Sequence, residues 1–111
     1  MKKKKDLNDA ALEMIATRFR LMSEPMRLKI LHTLGEREMN VSDIVAATGA
    51  NQANVSKQLG ILYDAGVVTR RKEGLTVNYR VSDDTIFELC DVVCSRLKSQ
   101  FDLRRFALSD L

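Results

Sequence analysis

Apolar residues recur at intervals of three and four over much of the chain, which is the spacing of amphipathic helices. One such stripe predicts a first helix over about residues 7–22, and another predicts a second helix with Pro25 in its first turn and Gly35 at its end. Ser23 is expected to cap the second helix, because its hydroxyl can accept a bond from a free backbone N–H. Two much shorter helices should follow around the sequence TGAN, with Ser42 and Asn51 as their N-caps.

The spacing of apolar residues then changes from helical to alternating, in the sequence VVTRRKEGLTVNYRV. Alternation predicts two strands, and Glu73-Gly74 between them predicts the turn of a β-hairpin. A helical stripe resumes after Ser82 and continues to Phe101, which predicts a long last helix. The expected fold class is therefore mainly α (α+β): a helix-turn-helix followed by a two-stranded hairpin, the wing, between long terminal helices.

The chain has 111 residues, enough for one hydrophobic core and not for two. We expect a single domain over residues 7–104, between a basic, disordered tail at 1–6 and a C-terminal tail at 105–111. The net charge is only +3, so the placement of the charges matters more than their sum. No apolar run approaches the length of a membrane span, so we expect no membrane partner and a cytoplasmic protein.

Polar side chains crowd into the first two turns of the second short helix, in ANQANVSKQLG. If Val55 marks its buried face, small and polar residues occupy the opposite face, with Gln58 at its flank. Amide side chains can pair with adenine edges, and lysine can reach guanine or phosphate. Because recognition helices touch bases mainly with their N-terminal turns, the predicted DNA contacts here are Gln52, Asn54, Ser56 and Lys57.

The predicted wing is basic and carries an aromatic residue near its end. Its candidate DNA contacts are Arg70, Arg71, Lys72, Tyr79 and Arg80. Such a wing can lie along phosphates or enter a minor groove. The competing interpretation is a pair of solvated edge strands whose charges prevent aggregation. Together the helix-turn-helix and the basic wing favour binding to double-stranded DNA.

The segment from Ser23 to Asp83 resembles the ArsR-type (ArsR/SmtB) winged-helix repressors, through EPMRLKIL, ANVSKQLGILYDAGVV and RRKEGLTVNYRV. The resemblance covers about residues 10–100. It implies a homodimeric transcriptional repressor that an inducer releases from its DNA operator. It also implies a dimer interface on the first and last helices, whose apolar stripes contain Leu12, Ile15, Phe19, Val93, Leu97 and Phe101.

Two cysteines, Cys90 and Cys94, lie four residues apart on the predicted last helix. The sequence REMNVSDIVAA lacks the cysteine motif of one class of metal-sensing ArsR members, and the last helix lacks the histidine of another class. A disulfide within one helix would be strained, because Cβ atoms at this spacing lie about 5–6 Å apart. The cysteines could pack as small apolar groups, sense a thiophilic metal or metalloid, or act in thiol redox or persulfide sensing. Arsenite prefers three thiolates, so an arsenic site would need a partner chain.

No nucleophile–base pair, phosphate loop or metal-hydrolase motif is present in the sequence, so we do not expect an enzyme or a required cofactor. Two alternatives to an inducible repressor remain open at this point. The chain could be a winged-helix regulator without an inducer of its own, or a protein–protein interaction module. In both cases the two cysteines would serve packing alone.

Overall fold

A computed structural model describes residues 6–100 of the chain. Within this range the elements are α1 (Asp9–Met22), α2 (Pro25–Leu34), β1 (Met39–Asn40), α3 (Val41–Thr48), α4 (Gln52–Asp64), β2 (Val68–Glu73), β3 (Thr76–Val81) and α5 (Thr85–Gln100). The chain divides into two compact units, one ending at Val81 and the other beginning at Ser82. The predicted fold class is confirmed, with one more strand than expected.

The junction between α1 and α2 corrects the first predicted cap. Ser23 ends α1, and its hydroxyl donates to the carbonyl of Arg20 at 2.7 Å. The N-cap of α2 is instead Glu24, whose carboxylate accepts from the backbone N–H of Met26 at 3.3 Å. Pro25 then occupies the first helical position, where its missing N–H costs no hydrogen bond.

The helix-turn-helix formed by α3 and α4 starts two residues earlier than predicted. Asn40, and not Ser42, is the N-cap of α3, because its side chain accepts from the N–H of Asp43 at 2.8 Å. The predicted cap of α4 is correct: Asn51 accepts from the N–H of Asn54 at 2.7 Å. An asparagine therefore fixes the start of each helix of the pair.

The strands form one antiparallel sheet in the order β1-β3-β2. Glu73 pairs with Thr76, so the hairpin turn is Gly74-Leu75, one residue later than predicted. Gly74 has a φ of 63°, which glycine adopts without steric cost and which a two-residue hairpin turn requires there. The unpredicted β1 pairs Met39 with Tyr79 and ties the segment before α3 to the wing.

The core of the unit that ends at Val81 comes mainly from α2, α3, α4 and the start of β2. Its most completely buried side chains are Ile30, Leu31, Leu34, Ile44, Val55, Leu59, Leu62, Val67 and Val68. Since α4 contributes Val55, Leu59 and Leu62, one side of this helix is fixed against the core. The opposite side of its N-terminal half is left at the surface.

The second unit contains α5, and Asp83 accepts a hydrogen bond from the backbone N–H of Thr85 at its start, at 3.1 Å. Phe101, assigned from the sequence to the dimer interface, lies outside the described residues, as do most of both predicted tails. Among the helices of residues 6–100, none has the length and apolarity that a membrane crossing requires.

Candidate nucleic-acid interface

The surface side of α4 carries the residues that the sequence assigned to DNA contact. Gln52, Ser56 and Lys57 are exposed, and Asn54 is half-buried beside them. The turn before α4 is held by Gly49, which ends α3 with a left-handed φ of 74°. The N-terminal half of α4 therefore has exposed polar side chains on one side, and apolar side chains buried in the core on the other.

Gln58 departs from the sequence prediction, which placed it at the flank of the exposed face. It is 7% exposed. Its Oε1 accepts from Nη1 of Arg27 at 3.0 Å, and its Nε2 donates to Oδ1 of Asn54 at 3.1 Å. Sequence reasoning did not connect Arg27 with α4, because 31 residues separate it from Gln58 and no local pattern links them.

The wing, formed by β2 and β3, divides its predicted contacts between two faces. Side chains alternate along a strand, and Arg70 pairs with Tyr79 while Thr69 pairs with Arg80. Arg70, Lys72 and Tyr79 therefore project from one face, which we call the basic face. The guanidinium carbon of Arg70 lies 3.9 Å from the centroid of the Tyr63 ring, a cation–π contact that joins this face to the end of α4.

The other face of the wing mixes positive and negative charge. Arg71 bridges Oε1 of Glu38 at 2.6 Å and Oε2 of Glu73 at 2.7 Å. The hydrogen bond and the charge of Arg71 lower the pKa of the Glu38 carboxyl, and the two carboxylates raise the pKa of the Arg71 guanidinium. Arg71 is consequently partly neutralised before any phosphate approaches, while Arg80 is exposed on the same face.

The two thiols of α5 are free and partly exposed. Partial burial and the negative charge of Asp91 raise the pKa of the Cys90 thiol, which favours its protonated form. Over residues 6–100, no group of three or more His, Cys, Asp and Glu side chains is placed to hold a metal ion. One chain therefore offers at most two thiol ligands from this helix.

Apolar side chains also remain at the surface of both terminal helices. Leu12, Ile15 and Phe19 are exposed along one stripe of α1. On α5, Val93 is exposed and Leu97 is half-buried. Exposed apolar stripes of this kind on a small domain are typical of a surface that a partner covers.

Comparison with known proteins gives consistent results. The family model "Bacterial regulatory protein, arsR family" matches residues 24–70. Rv0081, an HTH-type transcriptional regulator of Mycobacterium tuberculosis, is 34% identical over 94 residues, which are 84% of this chain and 82% of Rv0081. The crystal structure of Rv0081 matches with a TM-score of 0.74 and 30% identity, over 89% of this chain and 100% of that one.

Two further relatives carry informative descriptions. A biofilm growth-associated repressor of Agrobacterium fabrum is 30% identical over 79 residues, or 71% of this chain and 68% of the repressor. The solution structure of the homodimeric winged helix-turn-helix DNA-binding domain Mb0332 from Mycobacterium bovis has a TM-score of 0.71 and 29% identity, over 91% of this chain and 94% of that domain. The chain therefore belongs to the ArsR family of bacterial regulatory proteins, which are winged helix-turn-helix DNA-binding transcriptional regulators and not enzymes.

Proposed function

We propose that this protein represses transcription as a homodimer, with α4 of each protomer in the major groove of a palindromic operator. The observation that carries the proposal is the division of α4 into a buried apolar side and an exposed polar N-terminal half. That half supplies four candidate contacts of two kinds. Gln52, Asn54 and Ser56 can hydrogen-bond base edges, and Lys57 can reach guanine or phosphate.

The wing supplies sequence-independent affinity in this proposal. The basic face, with Arg70, Lys72 and Tyr79, is the principal phosphate-binding surface, because no carboxylate among residues 6–100 bridges its cations in the way that Glu38 and Glu73 bridge Arg71. Arg71 and Arg80 remain candidate contacts from the second face. Contacts of this kind fix the position of a protein on the duplex, whereas base contacts select the sequence.

Dimerisation gives the operator its expected symmetry. The exposed stripe of Leu12, Ile15 and Phe19 on α1, and Val93 with Leu97 on α5, are the proposed subunit contacts. The homodimeric state of the similar domain Mb0332 supports a homodimer, without indicating which helices form its interface. A two-fold dimer of this fold would place its half-sites about 34–36 Å apart, one turn of DNA.

Selection from a random DNA library tests this function directly. The expected result is a palindrome with two half-sites one helical turn apart, bound more weakly as salt rises because phosphate contacts release counterions. Enrichment of no sequence, together with binding that is equal for all duplexes, would contradict the proposal and leave a non-specific or protein-binding domain.

An inducer is the second part of the proposed function, and it rests on Cys90 and Cys94. Both thiols are partly exposed and lie on one side of α5, where a soft cation could take both as thiolates. Because one chain offers two such ligands, a complete thiolate site requires the partner protomer. Reactive sulfur species are the second chemical class that fits, since they need only one reachable thiol.

The inducer is tested by titrating trivalent arsenic, Zn²⁺ or a persulfide donor into the reduced protein–operator complex. We expect one of them to weaken operator binding by about 5–150-fold, the usual range of allosteric coupling. The Cys90→Ser/Cys94→Ser protein should bind the operator normally and ignore that compound. Release of both proteins would place the sensor elsewhere, and release of neither would leave the cysteines as packing groups.

A further inference from the structure

Arg27, on α2, is anchored before it reaches α4. Its Nε donates to the carbonyl of Leu21 at 2.7 Å, and its Nη2 donates to the carbonyl of Arg20 at 3.2 Å. Both carbonyls lie in the last turn of α1, where helices leave acceptors without helical partners and where positive charge is stabilised. The guanidinium is thus held in one plane by the end of α1.

The remaining contact of Arg27 fixes the orientation of Gln58. A guanidinium has donors only, so the atom that Gln58 turns toward Nη1 of Arg27 must be its oxygen. The amide nitrogen of Gln58 must then face the other way, where it meets Asn54. The two ends of an amide are usually assigned from such networks, and here a donor-only group decides the assignment.

The orientation of Gln58 in turn determines that of Asn54. Because Gln58 presents N–H groups, Asn54 must turn its Oδ1 inward to accept, at 3.1 Å. The Nδ2 of Asn54 is then the polar group directed away from Gln58. A side chain whose oxygen is engaged in this way cannot freely offer both amide atoms to adenine, which the sequence alone had suggested.

We infer that Arg27 and Gln58 are positioning residues that orient Asn54 as a hydrogen-bond donor toward DNA. The inference rests on the proposed role of α4 in reading bases, and it adds a base preference at the position that Asn54 contacts. In the major groove, guanine presents N7 and O6 as acceptors, adenine presents N7 and thymine presents O4, whereas cytosine presents only a donor. At the base that Asn54 contacts, cytosine is therefore disfavoured against the other three bases, by about two- to tenfold for one neutral hydrogen bond.

The test compares base preferences of the full-length protein and its variants, each selected on the same DNA library. The position read by Asn54 is first identified as the one where Asn54→Ala loses preference. Gln58→Met removes both amide contacts and should flatten the preference at that position alone. Gln58→Glu keeps an acceptor for Arg27 but has no N–H, so Asn54 should turn over, expose its oxygen and accept cytosine there.

A second pair of variants examines Arg27 separately. Arg27→Lys retains the charge, but an ammonium group cannot donate in one plane to the carbonyls of Leu21 and Arg20 and to Gln58. This variant should therefore also flatten the base preference at the position that Asn54 contacts. Arg37→Lys is the matched control, because Arg37 donates to the carbonyl of Thr33 at 2.6 Å and takes no part in the contacts with Asn54. Thermal melts and binding to random duplex establish whether each variant is folded. If one of Gln58→Met, Gln58→Glu and Arg27→Lys does not fold, the comparison rests on the two that do.

The possible outcomes separate this inference from the proposed function. If the wild type enriches no sequence, the proposed function itself fails. If the wild type enriches an operator but the folded variants of Gln58 and Arg27 keep its preference at the Asn54 position, the orienting role is wrong and the function stands. A shift toward cytosine in Gln58→Glu, without a change at other positions, supports it, because a merely structural role would not reverse a single preference.

Discussion

At the scale of single residues, the partner of a charged side chain determines what it contributes to DNA binding. Arg70 and Arg71 are neighbours in the sequence, but Arg70 stacks on Tyr63, and in the proposed function its charge is available to a phosphate. Arg71 bridges Glu38 and Glu73. The lowered pKa of Glu38 means that this carboxylate stays charged at neutral pH and is protonated only as the pH falls through that lowered value. Arg71 is therefore paired under ordinary conditions.

Replacing Glu38 with glutamine should release Arg71 for phosphate contact. We expect Glu38→Gln to tighten binding to any duplex and to make the slope of log affinity against log salt steeper by up to about 0.9, the value of one phosphate. Glu36→Gln is the control, because it removes the same charge from the same loop and Glu36 does not bridge Arg71. Equal slopes for the two variants would show that the Glu38 pair does not restrain Arg71.

The acidity of the Cys90 thiol leads to a second prediction at this scale. Burial raises the pKa of the Cys90 thiol most, and the charge of Asp91 adds to it, so Asp91→Asn should increase the thiolate fraction and the rate of alkylation at neutral pH only in part. Mass spectrometry after a short exposure to iodoacetamide measures the extent of alkylation at Cys90, and Glu88→Gln is a control on the same helix. If neither thiol reacts in the folded protein, the sensing proposal is wrong.

At the scale of elements, two asparagine caps set the position of the helix-turn-helix. Asn40 begins α3 directly after β1, and Asn51 begins α4 directly after the turn. Through these caps, a two-residue strand paired with the wing is joined to the helix that supports α4. Asparagine side chains that accept from backbone N–H groups therefore flank α3 on both sides and fix the start of each helix of the pair.

The corrected cap of α3 can be tested by stability. Asn40→Ala should lower the free energy of unfolding by about 0.5–2 kcal/mol, because the N–H of Asp43 loses its acceptor. Ser42→Ala should change it little, since Ser42 already lies inside the helix. Urea denaturation measures both, and a larger loss for Ser42→Ala would restore the cap that the sequence first suggested.

Features that depend on local residue spacing could be predicted from the sequence. Features that depend on contacts with residues far along the chain could not. The stripe containing Val55, Leu59 and Leu62 correctly gave the buried side of α4, because helix periodicity is a local property. β1 could not be recognised, since its two residues pair with a strand almost forty positions later. The inward position of Gln58 likewise depends on Arg27, which the structure, and not the local pattern, brings beside it.

For the whole molecule, the proposed function requires a second copy of the chain. The stripes of α1 and α5 expose apolar side chains that the described chain does not cover. In the proposed function a single α4 would read only half of a palindrome, so specificity for the operator would come from a dimer. Loss of the dimer should therefore weaken operator binding far more than it weakens binding to a single half-site.

A charge placed on the α1 stripe should separate the protomers. Phe19→Glu is expected to sediment as a monomer, because a buried, unpaired carboxylate would oppose association. Met14→Glu is the matched control: Met14 is 74% exposed on the same helix but lies off the stripe of Leu12, Ile15 and Phe19. A Phe19→Glu protein that remains a dimer with unchanged affinity would exclude α1 from the interface.

Affinities for the selected operator and for all its single-base variants test most directly whether α4 reads the operator. We expect Asn54→Ala to lose about two- to tenfold in affinity at one base pair in each half-site, the value of one neutral hydrogen bond, and to become indifferent to substitution there. Lys72→Ala, on the basic face of the wing, should instead weaken binding to every sequence by a similar factor. It should also make the slope of log affinity against log salt shallower by about one. A uniform loss for Asn54→Ala, indistinguishable from that of Lys72→Ala, would contradict the assignment of α4 as the element that reads the operator.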